Sequence, residues 1–520
     1  MPPSPSITAA LLQISEQRAA IAAKKADLEK QDSLLASLWN TYQPLSRLPA
    51  DVIFDIFTEY AWDRGAVTLA WTNLRLVCRR WDEVACGMPS LWRTIRIRTN
   101  IHWLALCLTR SAAATVDITV QLGPAFRLTP RERLSRDLQK ILFPHAARIR
   151  SLTVRSSFRV SDVSQGTFGT FLPLFDFDMP VLETVDLIAP LPETSELHLS
   201  HRRHPRVQQL SLHRVYRPID LQLLSNLRSL QISTCSQAFR VDEFLDTLAS
   251  TSRLEELLLD DFLPGLIGEF RPPSPSSRKP ITLGHLIHLR IAENNALMIS
   301  MFVSHLRLPA NPRIELRGYT DFKAGNFLGE TLSGLLPPTA QRTAFAPLLS
   351  SSTVTDVALS VLFSCFQIEA RDVVHGSSIS LSMEYTGGDL QDGPMRLDQG
   401  VFDLVEILGT APLRRLSITG IEYDAPVGVW DHLFRTFSTL ESLSLSPEES
   451  QCNMAPFWTA LGGFGDDNTA DPDSATSAIR CPGLSRLELK GDVHGRVTGT
   501  AEEVLDIPRL RGLVDELVLG

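Results

Sequence analysis

Apolar residues recur along this chain with three different spacings, and each spacing predicts a different kind of element. Residues 7–39 contain neither Pro nor Gly and are rich in Ala, Leu, Lys, Glu and Gln, so they predict one long helix. Within it Ile7, Ile14, Ile21, Leu28 and Leu35 repeat every seven residues, the spacing of one seam of a heptad. The companion positions Ala10, Gln17, Lys24, Gln31 and Leu38 are mostly polar. A single narrow seam favours an amphipathic helix lying on the rest of the protein or on a partner over self-association. Pro44 ends this segment.

A second spacing follows. Leu48-Pro49 puts proline where a helix begins. Val52, Ile53, Ile56, Phe57 and Tyr60 then form one apolar helical face, which Gly65 closes. Leu74, Val77, Cys78, Trp81 and Ala85 form a second face, with Arg75, Arg79 and Arg80 on its other side, and Gly87 and Pro89 stop it. Pro89-Ser-Leu-Trp92 is a short turn carrying two large apolar residues. Three short helices in about fifty residues cannot bury so many side chains alone, so part of this surface is expected to meet a partner or the following domain.

The third spacing is a phrase, L-x-x-L-x-L with Val or Ile allowed. It occurs at Ile149/Leu152/Val154, Leu182/Val185/Leu187, Val207/Leu210/Leu212, Leu227/Leu230/Ile232, Leu254/Leu257/Leu259 and Leu286/Leu289/Ile291. After a gap it returns at Leu413/Leu416/Ile418, Leu440/Leu443/Leu445, Leu484/Leu487/Leu489 and Val514/Leu517/Leu519. The last two residues of each phrase alternate as a short strand does, and point to one buried face. Successive phrases start 33, 25, 20, 27 and 32 residues apart, then 27, 44 and 30 after the gap, less regular than the ~20–29 of most leucine-rich arrays. Segments such as Val241–Leu248 and Trp430–Phe434 between the phrases suit crossover helices. The residues between the inward positions, among them Ser211, Gln231, Arg290, Ser417, Ser444 and Glu488, are expected to face outward in a row. Residues 264–280, 386–394 and 462–477 have the Gly, Pro, Ser and Asp content of loops.

Composition narrows this picture. The chain has 520 residues, room for two or three domains, and a formal charge of −9, which argues against nucleic acid as the main partner. Seven scattered cysteines with no C-x-x-C fit free thiols in a reducing compartment. No signal-peptide pattern precedes residue 30 and no apolar run reaches the ~18 residues of a membrane span. The reading is an intracellular, soluble protein without a membrane partner.

Candidate chemistry is thin. His198, His201 and His204 have the spacing H-x-x-H-x-x-H, but Arg202, Arg203 and Arg206 crowd them with positive charge, which disfavours a cation. They read as a solvated basic loop, and His285 and His288 as loop or surface residues. Gly462-Gly-Phe-Gly465 has no following Lys-Ser/Thr, and neither G-x-S-x-G nor H-E-x-x-H occurs. The expectation is no enzyme activity, no cofactor and no metal.

Residues 45–97, "LSRLPADVIFDIF…LRLVCRRWDEVACGMPSLWRTI", resemble an F-box. The resemblance rests on Leu48-Pro49, Ile56-Phe57, Val77-Cys78-Arg79-Arg80-Trp81 and Pro89-Ser90-Leu91-Trp92 in that order. It departs from the family at Asp51, where Glu is usual, and in a long 61–72 stretch. The later phrases resemble the leucine-rich repeats that follow many F-boxes, with Cys235 and Asn294 at the repeat's Asn/Cys position, and the leading helix is similar to that of fungal F-box proteins. The resemblance implies a multi-domain α+β chain: an amphipathic helix (1–42), an all-α three-helix F-box (43–97), a connecting segment (98–144) and an irregular leucine-rich-repeat-like α/β solenoid with a short-strand parallel sheet (145–520). It implies a substrate-receptor subunit of a Skp–cullin–F-box ubiquitin ligase, or alternatively a non-ligase F-box scaffold. The Skp adaptor would be bound through Leu48, Pro49, Val52, Ile53, Ile56, Phe57, Leu74, Val77, Cys78, Trp81, Leu91 and Trp92. A target protein would meet the outward row of the strands.

Overall fold

Heptad spacing becomes helix, and apolar alternation becomes strand, in the computed structural model of the chain. It describes residues 5–63, 69–97, 100–122, 131–156, 168–193, 197–215, 220–234, 240–266, 280–321, 331–338, 342, 345, 354–362, 365–386, 397–420, 425–447, 455–461, 481–489 and 516–519. The chain divides into two compact units, Met1–Thr153 and Val154–Gly520.

The first unit opens with α1 (Pro5–Tyr42), matching the Pro- and Gly-free stretch. The helix does not lie on the rest of the protein as the narrow seam suggested: Ile14, Ile21, Leu28 and Leu35 are all exposed. Only its last turns touch the unit, where Arg79 donates to Ser33 Oγ at 3.2 Å. Next come a 3-10 turn at Pro44–Arg47, α2 (Ala50–Asp63), a 3-10 segment at Leu69–Leu76, α3 (Arg79–Cys86) and a 3-10 turn at Pro89–Trp92. The helix expected to start at Leu74 is therefore two pieces. Cys78 is extended (φ −160°, ψ 166°) and breaks the path between them, so Leu76 and Val77 swing outward instead of joining the buried face. The stretch expected to be an all-α F-box (43–97) ends in a strand, and the segment read only as a connection (98–144) is structured. β1 (Thr94–Ile97), α4 (Ile101–Arg110), β2 (Val116–Leu122) and α5 (Arg131–Leu142) lead to β3 (Ile149–Ser156), and β1 runs parallel to β2.

The second unit is a large, mostly parallel sheet with helices. Its strands are β4 (Thr184–Glu193), β5 (Gln209–Val215), β6 (Ser229–Ser233), β7 (Glu256–Asp260), the short pair β8 (Ile281–Thr282) and β10 (Leu306–Arg307), and β9 (His288–Glu293). They continue as β11 (Arg313–Asp321), β12 (Val354–Val361), β13 (Cys365–Asp372), β14 (Ser378–Thr386), β15 (Arg415–Gly420), β16 (Ser442–Pro447), β17 (Arg486–Leu489) and β18 (Glu516–Leu519). The main sheet runs β4-β5-β6-β7-β9-β11-β14-β13-β12-β15-β16-β17-β18 within this unit. Every L-x-x-L-x-L phrase coincides with a strand. Helices Val241–Ser250 and Val427–Thr436 stand where crossover helices were expected.

Two apolar ladders hold the sheet. In one, Val185, Leu210, Leu230, Leu257, Leu289 and Ile314 stand side by side, and Leu416, Leu443 and Leu487 extend it beyond β12. Leu187, Leu212, Ile232, Leu259 and Ile291 form the second. All of these side chains are buried.

The sheet is not wholly parallel, and this corrects the sequence expectation. β13 is antiparallel to both of its neighbours, β12 and β14, because only residues 362–364 and 373–377 separate them and a parallel pair needs a crossover of a dozen or more residues. Helix Leu397–Leu408 covers this hairpin closely: a Cβ at Gly400 would lie 2.7 Å from the Phe366 ring.

Three strands share a left-handed residue at one level, inside β5 and just past the ends of β6 and β7. His213, Ser233 and Asp260 are in register, and the residue after each, Arg214 (φ 58°), Thr234 (φ 50°) and Asp261 (φ 48°), is left-handed. Such a backbone turns sharply at a cost of about 1 kcal/mol or more for a side chain other than glycine.

Candidate functional site

In the first unit, Pro49 starts α2 by accepting from the Ile53 N–H at 3.2 Å, and Arg80 reaches back to the Leu48 carbonyl. One face of α2 turns inward. Ile53 and Phe57 are buried, with the Phe57 ring edge-on to Trp81 at 5.1 Å. Trp92 is fully buried. Its Nε1 donates to the Ala85 carbonyl at 2.8 Å, and Trp71 and Trp103 meet its ring at 5.0 and 5.8 Å. The Arg75 guanidinium sits 5.4 Å from the same ring and bonds Asp82 at 2.6 Å. That hydrogen bond raises the Arg75 pKa and holds the Asp82 carboxyl below its usual range. Leu74 and Leu91 complete the core.

The twelve residues expected to meet the adaptor thus divide. Ile53, Phe57, Leu74, Leu91 and Trp92 are buried within the unit, and Leu48, Cys78 and Trp81 are half-buried. Pro49, Val52, Ile56 and Val77 face solvent, with Val52 40%, Ile56 41% and Val77 56% exposed. The pattern reading missed Leu45, Phe54 and Leu76, which are also exposed, the last by 84%. The available signal was that Phe54 lies off the buried face of α2. So many exposed aliphatic side chains in one small helical segment mark a protein-interaction surface.

On the second unit, the six outward residues fall on one register row. Ser211 lies beside Gln231, Arg290 follows one strand beyond Leu258, and Ser417, Ser444 and Glu488 are consecutive. Gln231 is exposed and the others are half-buried; the Ser444 hydroxyl is buried without a hydrogen-bond partner. Neighbouring rows carry ion pairs that sequence reasoning missed. Arg313–Glu315 (2.6 Å), Arg317–Glu384 (3.1 Å), Arg371–Glu369 (2.8 Å) and Arg415–Asp356 are among them. A cleft of about 680 Å³ opens over β11, β14 and β13, lined by Arg313, Glu315, Arg371, Glu369, Ser378 and Ser380 with others.

The histidine expectations need correction. His204 is fully buried, as are Leu197, Leu199 and Val207 of the same segment; its ring lies edge-on to Phe175 at 6.4 Å, and burial pushes its pKa down. His198 is exposed and pairs with Asp176 at 2.9 Å. His288 stands in β9, 3.5 Å from Glu315. Among the described residues, no group of three or more His, Cys, Asp and Glu could hold a metal. Burial pushes the Cys107 and Cys481 thiols up to about 12, so both stay protonated in the core. Two buried carboxyls serve as backbone clamps. Glu293 accepts from the Phe262 and Leu263 N–H groups, both at 2.9 Å, and Asp403 from Leu332 at 2.8 Å.

An aromatic-cored helical segment with an exposed aliphatic surface defines a docking domain. Residues 45–98 match the F-box-like family model, so the chain carries an F-box-like domain. No curated protein matches the chain. No helix among the described residues is long and apolar enough to cross a membrane.

Proposed function

We propose that this chain is the substrate-receptor subunit of a Skp–cullin–F-box ubiquitin ligase and is not itself an enzyme. The observation that carries the reading is the set of solvent-facing side chains Pro49, Val52, Ile56, Leu76 and Val77 within the F-box-like domain. Their burial needs a partner, and the Skp adaptor is the one that F-box domains take. The second unit then acts as a leucine-rich-repeat-like array. Its buried ladders fix the strands, and its polar outer face holds a target near the ubiquitin-carrying enzyme. The gain is proximity, because tethering raises the effective concentration of the target's lysines. The chemistry belongs to the partners.

Affinity purification of the full chain tests this. The intact protein is expected to bring down the Skp adaptor and cullin. A Val52→Asp, Ile56→Asp double variant, altered only at exposed positions, is expected to lose them while remaining folded. Unchanged adaptor recovery with the double variant overturns the reading. Ubiquitination of co-purified proteins then separates a ligase receptor from a scaffold that binds the adaptor without delivering targets.

A further inference from the structure

One row of the second unit's outer face repeats arginine on alternate strands. Arg313 pairs in register with Ser378, Ser378 with Arg371, Arg371 with Asp356, and Asp356 with Arg415. Ser442 follows Arg415, and Arg486 follows Ser442. Neighbouring strands lie ~4.8 Å apart, so successive arginines stand about 9.6 Å apart along the sheet. The residues between them are short.

Each arginine rises above the carboxylate that steadies it. Arg313, Arg371 and Arg415 are 65%, 67% and 61% exposed, against 22%, 33% and 24% for Glu315, Glu369 and Asp356. Arg371 and Arg415 spend Nε and Nη2 on their carboxylates. A guanidinium has five N–H donors in a planar fork, so the Nη1 edge stays available to a second anion. Between Arg313 and Arg371 lies the 680 Å³ cleft.

We propose that this row reads the target, and that its ligand is a polyproline-type peptide segment carrying an acidic side chain at every third residue. The inference rests on the receptor reading above and specifies what its target surface accepts. The pitch selects the ligand. A β-extended chain advances ~3.3 Å per residue but alternates its faces, so residues three apart point to opposite sides. A polyproline-type chain advances ~3.1 Å per residue and returns the same side every third residue, about 9.3 Å on. Only the polyproline-type chain matches the arginine spacing on one face. A continuous polyanion such as a nucleic acid would also lie over Asp356, which stands in the row between Arg371 and Arg415, would pass beside Glu315 and Glu369 on the next row, and would be repelled there, whereas spaced carboxylates meet arginines alone.

The test uses the full chain and two labelled synthetic peptides of twelve residues and identical composition. One has Glu at positions 1, 4, 7 and 10 in a Pro/Ser/Ala background, and the other has its four Glu contiguous. Fluorescence anisotropy is expected to show the spaced peptide binding about tenfold more tightly, since charge-assisted hydrogen bonds are worth that much each, and weakening with salt. Arg371→Glu is expected to abolish the preference. Arg371→Gln, which keeps size and polarity, is expected to reduce it and decides the matter if the charge reversal fails to fold. Equal binding of the two peptides, or a preference that survives both variants in folded protein, overturns the inference. If neither peptide discriminates but the row variants change which proteins co-purify, the spacing is wrong and the receptor reading stands. If the adaptor fails to co-purify with the intact chain, the receptor reading fails whatever the peptides do.

Discussion

The two units dispose of their aliphatic side chains in opposite ways. In the sheet unit, every phrase residue with a described side chain on the two ladders is buried, and the row between them is mostly Ser, Gln, Arg and Glu, with Leu258 and Ala358 among them. In the F-box-like domain the same kinds of residue are split, with Ile53 and Phe57 inside and Val52 and Ile56, their neighbours on α2, outside. A sheet with helices can satisfy its ladders internally, leaving exposed apolar side chains such as Leu297 and Val374 scattered in loops and on helices. A fifty-residue helical segment cannot, and its remainder becomes a surface for a partner. The difference predicts two kinds of docking: hydrophobic and nearly indifferent to salt through the first unit, electrostatic and weakened by salt through the second.

The harshest way to break this comparison is a charge in a ladder. Leu443→Asp places a carboxylate among Leu416, Leu487 and their neighbours and is expected to cost roughly 4 kcal/mol or more, through burial of an unpaired charge. Thermal melts followed by circular dichroism should show loss of the strand-rich transition. A variant that melts like the parent would remove the ladder's register from the account.

Within the F-box-like domain, neighbouring positions should behave differently. Ile53→Ala removes a buried side chain and is expected to cost about 2–4 kcal/mol of stability. Ile56→Ala is expected to leave the melt nearly unchanged while weakening adaptor binding by about 2 kcal/mol, roughly thirtyfold. Paired calorimetry of unfolding and of binding separates the two. If both variants lose only stability, the exposed surface is not the docking surface.

A smaller effect sharpens the sheet side. Burial pushes the Glu293 carboxyl up to about 7 from an ordinary 4.5, and Asp403 up to about 6 from 3.8. Both pKa values are higher in the folded chain, so it binds more protons than the unfolded chain between about pH 4 and 7. Their contribution is fully present below about pH 4 and is lost as pH rises through 6 to 7. Denaturation midpoints are expected to fall over that window, with a slope of at most ~1.4 kcal/mol per pH unit from each group. Glu293→Gln should flatten the slope. A slope that persists unchanged in Glu293→Gln, Asp403→Asn assigns it to other groups.

The smallest expected change concerns the strand ends. Thr234→Gly relieves a left-handed side chain but adds freedom to the unfolded chain, so chemical denaturation should show a gain of no more than about 1 kcal/mol.

Much of this was legible in the sequence. All ten leucine phrases became strands because alternation ties each side chain to one face and fixes register as it does so. The alternation in Val354-Thr-Asp-Val-Ala-Leu-Ser-Val361 and Ser378-Ile-Ser-Leu-Ser-Met383 was equally plain, yet β12, whose Val354/Val357/Leu359 fits the phrase, was passed over, and β11, β13 and β14 escaped a search for a leucine phrase they do not contain. The break at Cys78 was hidden because two short pieces can satisfy one helical spacing. The burial of His204 was hidden too, since neighbouring arginines suggest water while the imidazole itself turns inward. The row of arginines came from strands far apart in sequence, and only pairing could align them.

The left-handed residues Arg214, Thr234 and Asp261 bear on how this protein can change. Register positions His213, Ser233, Asp260 and Ala292 are separated by 20, 27 and 32 residues, yet they pair in line. A left-handed residue follows this level on β5, β6 and β7, where it bends β5 before Val215 and ends β6 and β7, whatever length of connector follows. Each strand then restarts the count. Insertions between strands are absorbed where they occur, and the phase of the next strand is untouched. The connectors are free to drift while the face they frame stays aligned.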